Sequence, residues 1–76
     1  MNKQRRKRLD EIISKVEDLK SELEDLKTEE EEALENVPEH LQDTDRANQM
    51  QAAIDGIEYA IDNLDDAVTN IQEAVE

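Results

Sequence analysis

The chain has 76 residues, of which 41% are charged and 1% aromatic, and its formal net charge is -13. This length allows one domain, and the absence of cysteine excludes disulfides, thiolate metal sites and cysteine nucleophiles. Abundant Glu, Lys, Leu and Ala with few aromatic residues is the composition of long helices. We therefore expect one all-α domain over residues 1–76.

The first predicted helix covers residues 3–36. From Leu9 onward its apolar residues recur at alternating steps of three and four, a heptad pattern with apolar side chains at positions a and d. Pro38 ends the helix, because proline disfavours the helical conformation in the residue before it. The a and d residues are Leu9, Ile12, Val16, Leu19, Leu23, Leu26, Glu30 and Ala33.

Residues 37–43 form the predicted loop, in which Leu41 is expected to cover the end of the helix pair. The second predicted helix covers residues 44–75, with Asp43 or Thr44 as its N-cap. Gly56 lies inside this helix and costs about 1 kcal/mol relative to alanine. The second helix keeps the same heptad pattern in Ala47, Met50, Ile54, Ile57, Ile61, Leu64, Val68, Ile71 and Val75.

Folding the chain back at the loop brings every a residue of one helix opposite a d residue of the other. This register predicts an antiparallel helical hairpin with coiled-coil packing. At its flank, Lys20 and Lys27 of the first helix are expected to reach toward Glu58, Asp65 and Gln51 of the second. The predicted layers are Leu9 with Ile71, Ile12 with Val68, Val16 with Leu64, Leu19 with Ile61, Leu23 with Ile57, Leu26 with Ile54, Glu30 with Met50, and Ala33 with Ala47.

A further apolar stripe suggests self-association. The second helix carries one alanine per heptad just before each a position, and two residues widen the stripe of the first helix. The stripe either serves the contact within the chain or packs a second chain into a four-helix bundle. Because so small a chain buries a thin core, we expect a homodimer. The predicted dimer surface comprises Ile13, Leu34, Ala53, Ala60, Ala67 and Ala74.

Residues that could carry chemistry are few. Ser14 and Ser21 lie at outward heptad positions, and His40, the single histidine, lies in the loop. Asp43-x-Asp45 resembles the start of a calcium loop, but the turn glycine and the bidentate glutamate are missing. The sequence therefore predicts no enzymatic activity and no catalytic, cofactor or metal site.

Acidic pairs recur at positions b and c of the first helix. Such a field repels nucleic acid and attracts basic proteins. It either keeps the chain soluble or occupies a positively charged groove as a DNA backbone would. Tyr59, the single aromatic residue, is a second candidate for partner contact. The acidic candidates are Asp10, Glu11, Glu17, Asp18, Glu24, Asp25, Glu31 and Glu32.

The basic segment of residues 3–8 precedes the heptads, as in leucine-zipper transcription factors. It is short, and the heptads that follow pair with their own chain, so direct nucleic-acid binding is not expected. No apolar run approaches the roughly 18 residues of a membrane span. We therefore expect a cytoplasmic protein without membrane association.

The opening residues MNKQRRKRLDEI and the central residues NVPEHLQ (36–42) resemble a group of short acidic helical proteins of phages and prophages of Gram-positive bacteria. The resemblance implies a small phage accessory protein, a class that often disables a host factor. The expected function is that of a helical interaction module that inhibits a host defence or nucleic-acid-binding protein. The alternatives are a structural or assembly component and a nucleic-acid binder acting through the basic segment.

Overall fold

The protein is a hairpin of two long helices. The computed structural model describes residues 1–75, which contain helix α1 (Lys3–Glu35), a short 3₁₀ helix (Glu39–Leu41) and helix α2 (Asp45–Val75), with no strand among them. The two helices pack along each other in a rod of 59 × 15 × 12 Å. The predicted all-α helical hairpin is confirmed.

An asparagine caps each end of α1, Asn2 through its side chain and Asn36 through its backbone N–H. Asn2 is the N-cap, and its Oδ1 accepts a hydrogen bond of 2.8 Å from the Arg5 N–H. Asn36 is the C-cap, and its N–H donates to the carbonyl of Glu32 at 3.1 Å. The helix thus ends one residue before the predicted bound, and the extended backbone of Pro38 follows shortly after.

The loop is fastened by two side chains. Thr44 caps α2, because its Oγ1 accepts from the Ala47 N–H at 3.4 Å while its hydroxyl donates to the Leu41 carbonyl at 2.7 Å. The Gln42 amide donates to the carbonyl of Leu34, in the last turn of α1, at 3.3 Å and to that of Val37, just beyond the helix, at 2.8 Å. Leu41 itself is 41% exposed, so it covers the end of the hairpin only in part.

Ion pairs between the helices establish the antiparallel register. Lys20 pairs with Asp65, and the Lys27 Nζ lies 3.9 Å from Glu58 Oε2. Lys20 follows Val16 by four residues, and Asp65 directly follows Leu64, the predicted partner of Val16. Lys27 and Glu58 stand in the same relation to the predicted pair of Leu23 and Ile57. Near the loop, Ala33 and Ala47 line one cleft, and Glu30 and Met50 line another. The predicted register is confirmed at these positions.

The core is thin and lies mostly on α2. The buried residues are Ala47, Ile54 and Val68, all at position a of α2, whereas α1 has no fully buried residue. Leu9 and Leu23, at position a of α1, are half-buried. The hairpin therefore leaves much apolar surface exposed, as a pair of helices without a third layer must.

One prediction about α1 is wrong. Its d residues Ile12, Leu19 and Leu26 were expected in the core but are 43%, 53% and 53% exposed. Residues at position e pack toward α2 instead, since the side chains of Lys20 and Lys27 are only 17% and 26% exposed. Each lysine can cover the core with its methylene chain while its ammonium group pairs with a carboxylate of α2. Helix α1 is thus rotated about its own axis so that positions a and e face α2 and position d is turned toward solvent.

Candidate interaction surfaces

The acidic face of α1 is the first candidate surface. Its carboxylates occupy positions b and c, so they recur every heptad, on the order of 10 Å apart along the helix. All are exposed. The acidic face consists of Asp10, Glu11, Glu17, Asp18, Glu24, Asp25, Glu31 and Glu32.

Only one member of the acidic face is neutralised by an ion pair within residues 1–75. Glu17 accepts a hydrogen bond of 3.3 Å from the Lys20 ammonium, which also pairs with Asp65. The pKa of Lys20 is raised, first by its hydrogen bond to Asp65 and then by that to Glu17. The remaining carboxylates of the acidic face form no ion pair with a described residue, so the face presents its negative charge to solvent.

A second candidate surface lies on the side of the hairpin opposite the ion pairs. Ion pairs join the e positions of the two helices at one side, so positions d and g of α1 and position g of α2 lie at the other. We call Ile12, Leu19 and Leu26 the outer apolar row. The alanine row of α2 consists of Ala53, Ala60, Ala67 and Ala74, of which the middle two are half-buried and the outer two exposed.

The structure separates the predicted dimer residues into two groups. The alanine row lies beside the outer apolar row. Ile13 and Leu34 instead belong to position e, in line with Lys20 and Lys27, and both are half-buried on the side of the ion pairs. A single flat contact therefore includes the alanine row and the outer apolar row without these two residues.

Sequence reasoning missed that α2 has a long face without charge. Positions c and g between residues 49 and 74 carry only small or neutral side chains, in a chain that is 41% charged. Gly56 belongs to this face, and an added Cβ there would meet no atom within 4 Å. A count of charges by heptad position would have revealed it. The neutral face consists of Gln49, Ala53, Gly56, Ala60, Asn63, Ala67, Asn70 and Ala74.

Tyr59 lies apart from both surfaces. It occupies position f of α2 and is 69% exposed. A shallow cleft of about 240 Å³ beside it is lined by Asp55, Glu58 and Asp62. An aromatic ring surrounded by carboxylates suits a partner that offers a cation together with an apolar group.

The residues considered for chemistry are not brought together. Ser14 and Ser21 are exposed on α1, and His40 is exposed in the 3₁₀ helix. Within residues 1–75 no three His, Asp or Glu side chains are grouped so that they could hold a metal ion. None of the helices described is long and apolar enough to cross a membrane.

Comparisons of the chain with protein-family models, with curated proteins and with solved structures found no match. The assignment of a function therefore depends on the surfaces described above.

Proposed function

We propose that the chain is a non-enzymatic, helical interaction protein that works as a homodimer and binds a protein with a basic groove through the acidic face of α1. The observation that carries this proposal is the acidic face itself. Its carboxylates are exposed, regularly spaced and, apart from Glu17, without an ion pair among the described residues. Charges left without partners within the chain are available to a partner molecule.

The spacing of the charges supports a partner that normally binds nucleic acid. Negative charges repeated along a narrow rod produce an extended field, as the phosphates of a nucleic-acid strand do. A groove lined with Lys and Arg would be attracted to either. The resemblance to phage proteins would make the partner a host protein, whose access to DNA or RNA the chain would then block.

Homodimerisation is supported by the exposed apolar surface. Three large apolar side chains, Ile12, Leu19 and Leu26, lie in line and are about half exposed. Aligned apolar side chains at a surface mark an interaction site more often than scattered ones do. A helical assembly component without inhibitory activity would use this same surface, and its binding would depend little on salt.

Affinity capture with matched charge reversals tests the proposed binding surface. The tagged chain, its variant with Glu17, Asp18, Glu24 and Asp25 all changed to Lys, and a control variant are incubated with an extract of Gram-positive bacteria. The control changes Glu39, Asp43, Asp66 and Glu73 to Lys, which alters the net charge equally at exposed carboxylates outside the acidic face and the Tyr59 cleft. Captured proteins are quantified by mass spectrometry.

The proposal predicts a partner that is retained by the wild-type chain and the control and lost with the acidic-face variant. This partner should bind DNA or RNA, and added nucleic acid should displace it. Its affinity for the chain should fall steeply between low and moderate salt. Equal losses with both variants would show that only net charge matters, and full retention by the acidic-face variant would exclude the acidic face as the binding surface.

A further inference from the structure

The charges that flank the outer apolar row change sign halfway along α1. Position g, next to this row, carries Arg8 and Lys15 in the first half and Glu22 and Glu29 in the second. None of the four takes part in an ion pair among residues 1–75. The change of sign falls next to Leu19, the central residue of the outer apolar row.

We infer that the occupant of this surface is a second copy of the chain, with its α1 antiparallel to the first α1 and a two-fold axis passing beside Leu19. This inference rests on the proposed homodimer and specifies its arrangement. Such an axis places Leu19 against Leu19 of the second copy and Ile12 against its Leu26. It also places Lys15 beside Glu22 and Arg8 beside Glu29, so every basic residue of the row meets an acidic one.

Other arrangements of the two α1 helices lose this complementarity. A parallel pair would place Lys15 against Lys15 and Glu22 against Glu22. An antiparallel pair centred on Leu26 would place Glu22 against Glu29. Like charges that face each other directly are destabilising, so the sign pattern favours the axis at Leu19.

The middle of helix α2 lies beside Leu19 along the length of the hairpin. In the register of the hairpin Leu19 lies opposite Ile61, and Ala60, the second residue of the alanine row, precedes Ile61. The same two-fold axis therefore places Ala60 against Ala60 of the second copy and Ala53 against its Ala67. Alanines at these positions allow the axes of two α2 helices to approach closely. The axis that the charges of α1 select therefore also pairs alanine with alanine in α2, and it places Ala74 against Arg46 of the second copy.

This arrangement has a consequence for the acidic face. With α1 next to α1 and α2 next to α2, the acidic faces of both copies lie on one side of the four-helix bundle. Within each neutral face, the alanine row is buried against the second copy, whereas Gln49, Gly56, Asn63 and Asn70 lie on the other side of the bundle. The dimer would present an acidic surface twice as wide as that of one hairpin, which suits a basic groove better than a single helix does.

Charge exchange between Lys15 and Glu22 tests the arrangement. Sedimentation equilibrium of the purified chain, without any partner, measures the dimer dissociation constant. Lys15→Glu and Glu22→Lys should each weaken the dimer about tenfold or more, because each replaces two symmetric ion pairs by like charges. The double variant Lys15→Glu/Glu22→Lys should return to within about threefold of the wild type.

Control variants separate this effect from net charge. Lys7→Glu and Glu35→Lys alter net charge as the two single variants do, but they lie at position f and should not weaken the dimer. The decisive pair is Glu22→Lys and Glu35→Lys, which have the same net charge. Circular dichroism checks that every variant keeps its helical content.

Distances between spin labels give a second readout. Lys7 and Ser21 both lie at position f, so labels at Lys7→Cys and at Ser21→Cys share the same separation across the bundle. Along the bundle the labels should be roughly 36 Å apart at residue 7 and roughly 6 Å apart at residue 21, so the measured distance should be clearly longer at residue 7. A parallel dimer would give similar distances at both positions and would overturn the inference. The inference would also be overturned if the Glu22→Lys dimer dissociated no more readily than the Glu35→Lys dimer. Binding of a partner by the acidic face could still hold in that case. A wild-type chain that stays monomeric would overturn the homodimer as well.

Discussion

Lys20 of α1 forms an ion pair with Asp65 of α2, 45 positions later in the chain. Together with the pair between Lys27 and Glu58, it shows that the two helices are antiparallel and which residues face each other. The ion pairs occupy one side of the helix pair. The side opposite them is left with the outer apolar row and the alanine row.

The Lys20–Asp65 pair predicts a change in stability at alkaline pH. The pKa of Lys20 is raised above its ordinary value of 10.5 in the folded chain. The stability that it contributes is therefore complete below the ordinary pKa and is lost as pH rises through the raised one. Thermal unfolding followed by circular dichroism should show an alkaline loss of Tm that is smaller in Lys20→Met. The variant Lys7→Met should lose Tm as the wild type does, and equal curves for all three would mean that the ion pair is absent in solution.

Substitutions at the buried a positions of α2 are predicted to reduce the stability of the chain most. Ile54 is 5% exposed, so Ile54→Val should cost about 0.5–1.5 kcal/mol and Ile54→Ala about 2–5 kcal/mol in urea unfolding. Ser14→Ala and Ser21→Ala, at exposed positions, should change the free energy of unfolding very little. Similar losses from the serine and the isoleucine variants would contradict the register.

Gly56 predicts a stabilising substitution. A methyl group at this position meets no atom within 4 Å, and the backbone is helical. Gly56→Ala should therefore raise the free energy of unfolding by about 1 kcal/mol. A loss of stability that grows with protein concentration would instead show that a second chain packs closely against Gly56.

The hydroxyl group of Thr44 is predicted to contribute to the stability of the hairpin. It caps α2 and also donates to the Leu41 carbonyl, so Thr44→Ala should cost about 0.5–2 kcal/mol. Thr28 provides a control, because its hydroxyl donates to the Glu24 carbonyl within the helix, four residues earlier. Thr28→Ala should be close to neutral, and equal effects would argue against the cap.

The sequence predicted the hairpin well because its heptads are regular. Pro38 marked the end of α1 to within one residue, and the Lys20–Asp65 and Lys27–Glu58 pairs agree with the predicted register. The rotation of α1 was not predicted, because an a/d pattern assumes that apolar residues always outcompete lysine for the core. In a helix pair without a third layer, Lys20 can both cover the core and reach Asp65, and Leu19 is left outside.

The candidate surfaces could be predicted less completely. Periodicity alone identified the acidic face and the alanine row, because each repeats every seven residues. It could not show that Ile13 lies on the opposite side of the hairpin from Ala60, since this depends on which flank carries the ion pairs. The sign change between Lys15 and Glu22 gains its meaning only once Leu19 is known to be exposed.

The claim that connects the fold to both proposals is that two hairpins associate through the outer apolar row and the alanine row. Sedimentation equilibrium at micromolar concentration tests it most directly, with the wild-type chain, Ala60→Glu/Ala67→Glu and the control Ser21→Glu/Ala52→Glu, which adds the same charge at exposed f positions. We predict twice the chain mass of 8.8 kDa for the wild type and the control, and 8.8 kDa for the alanine-row variant. A wild-type mass of 8.8 kDa, or an alanine-row variant that remains dimeric, would contradict the account.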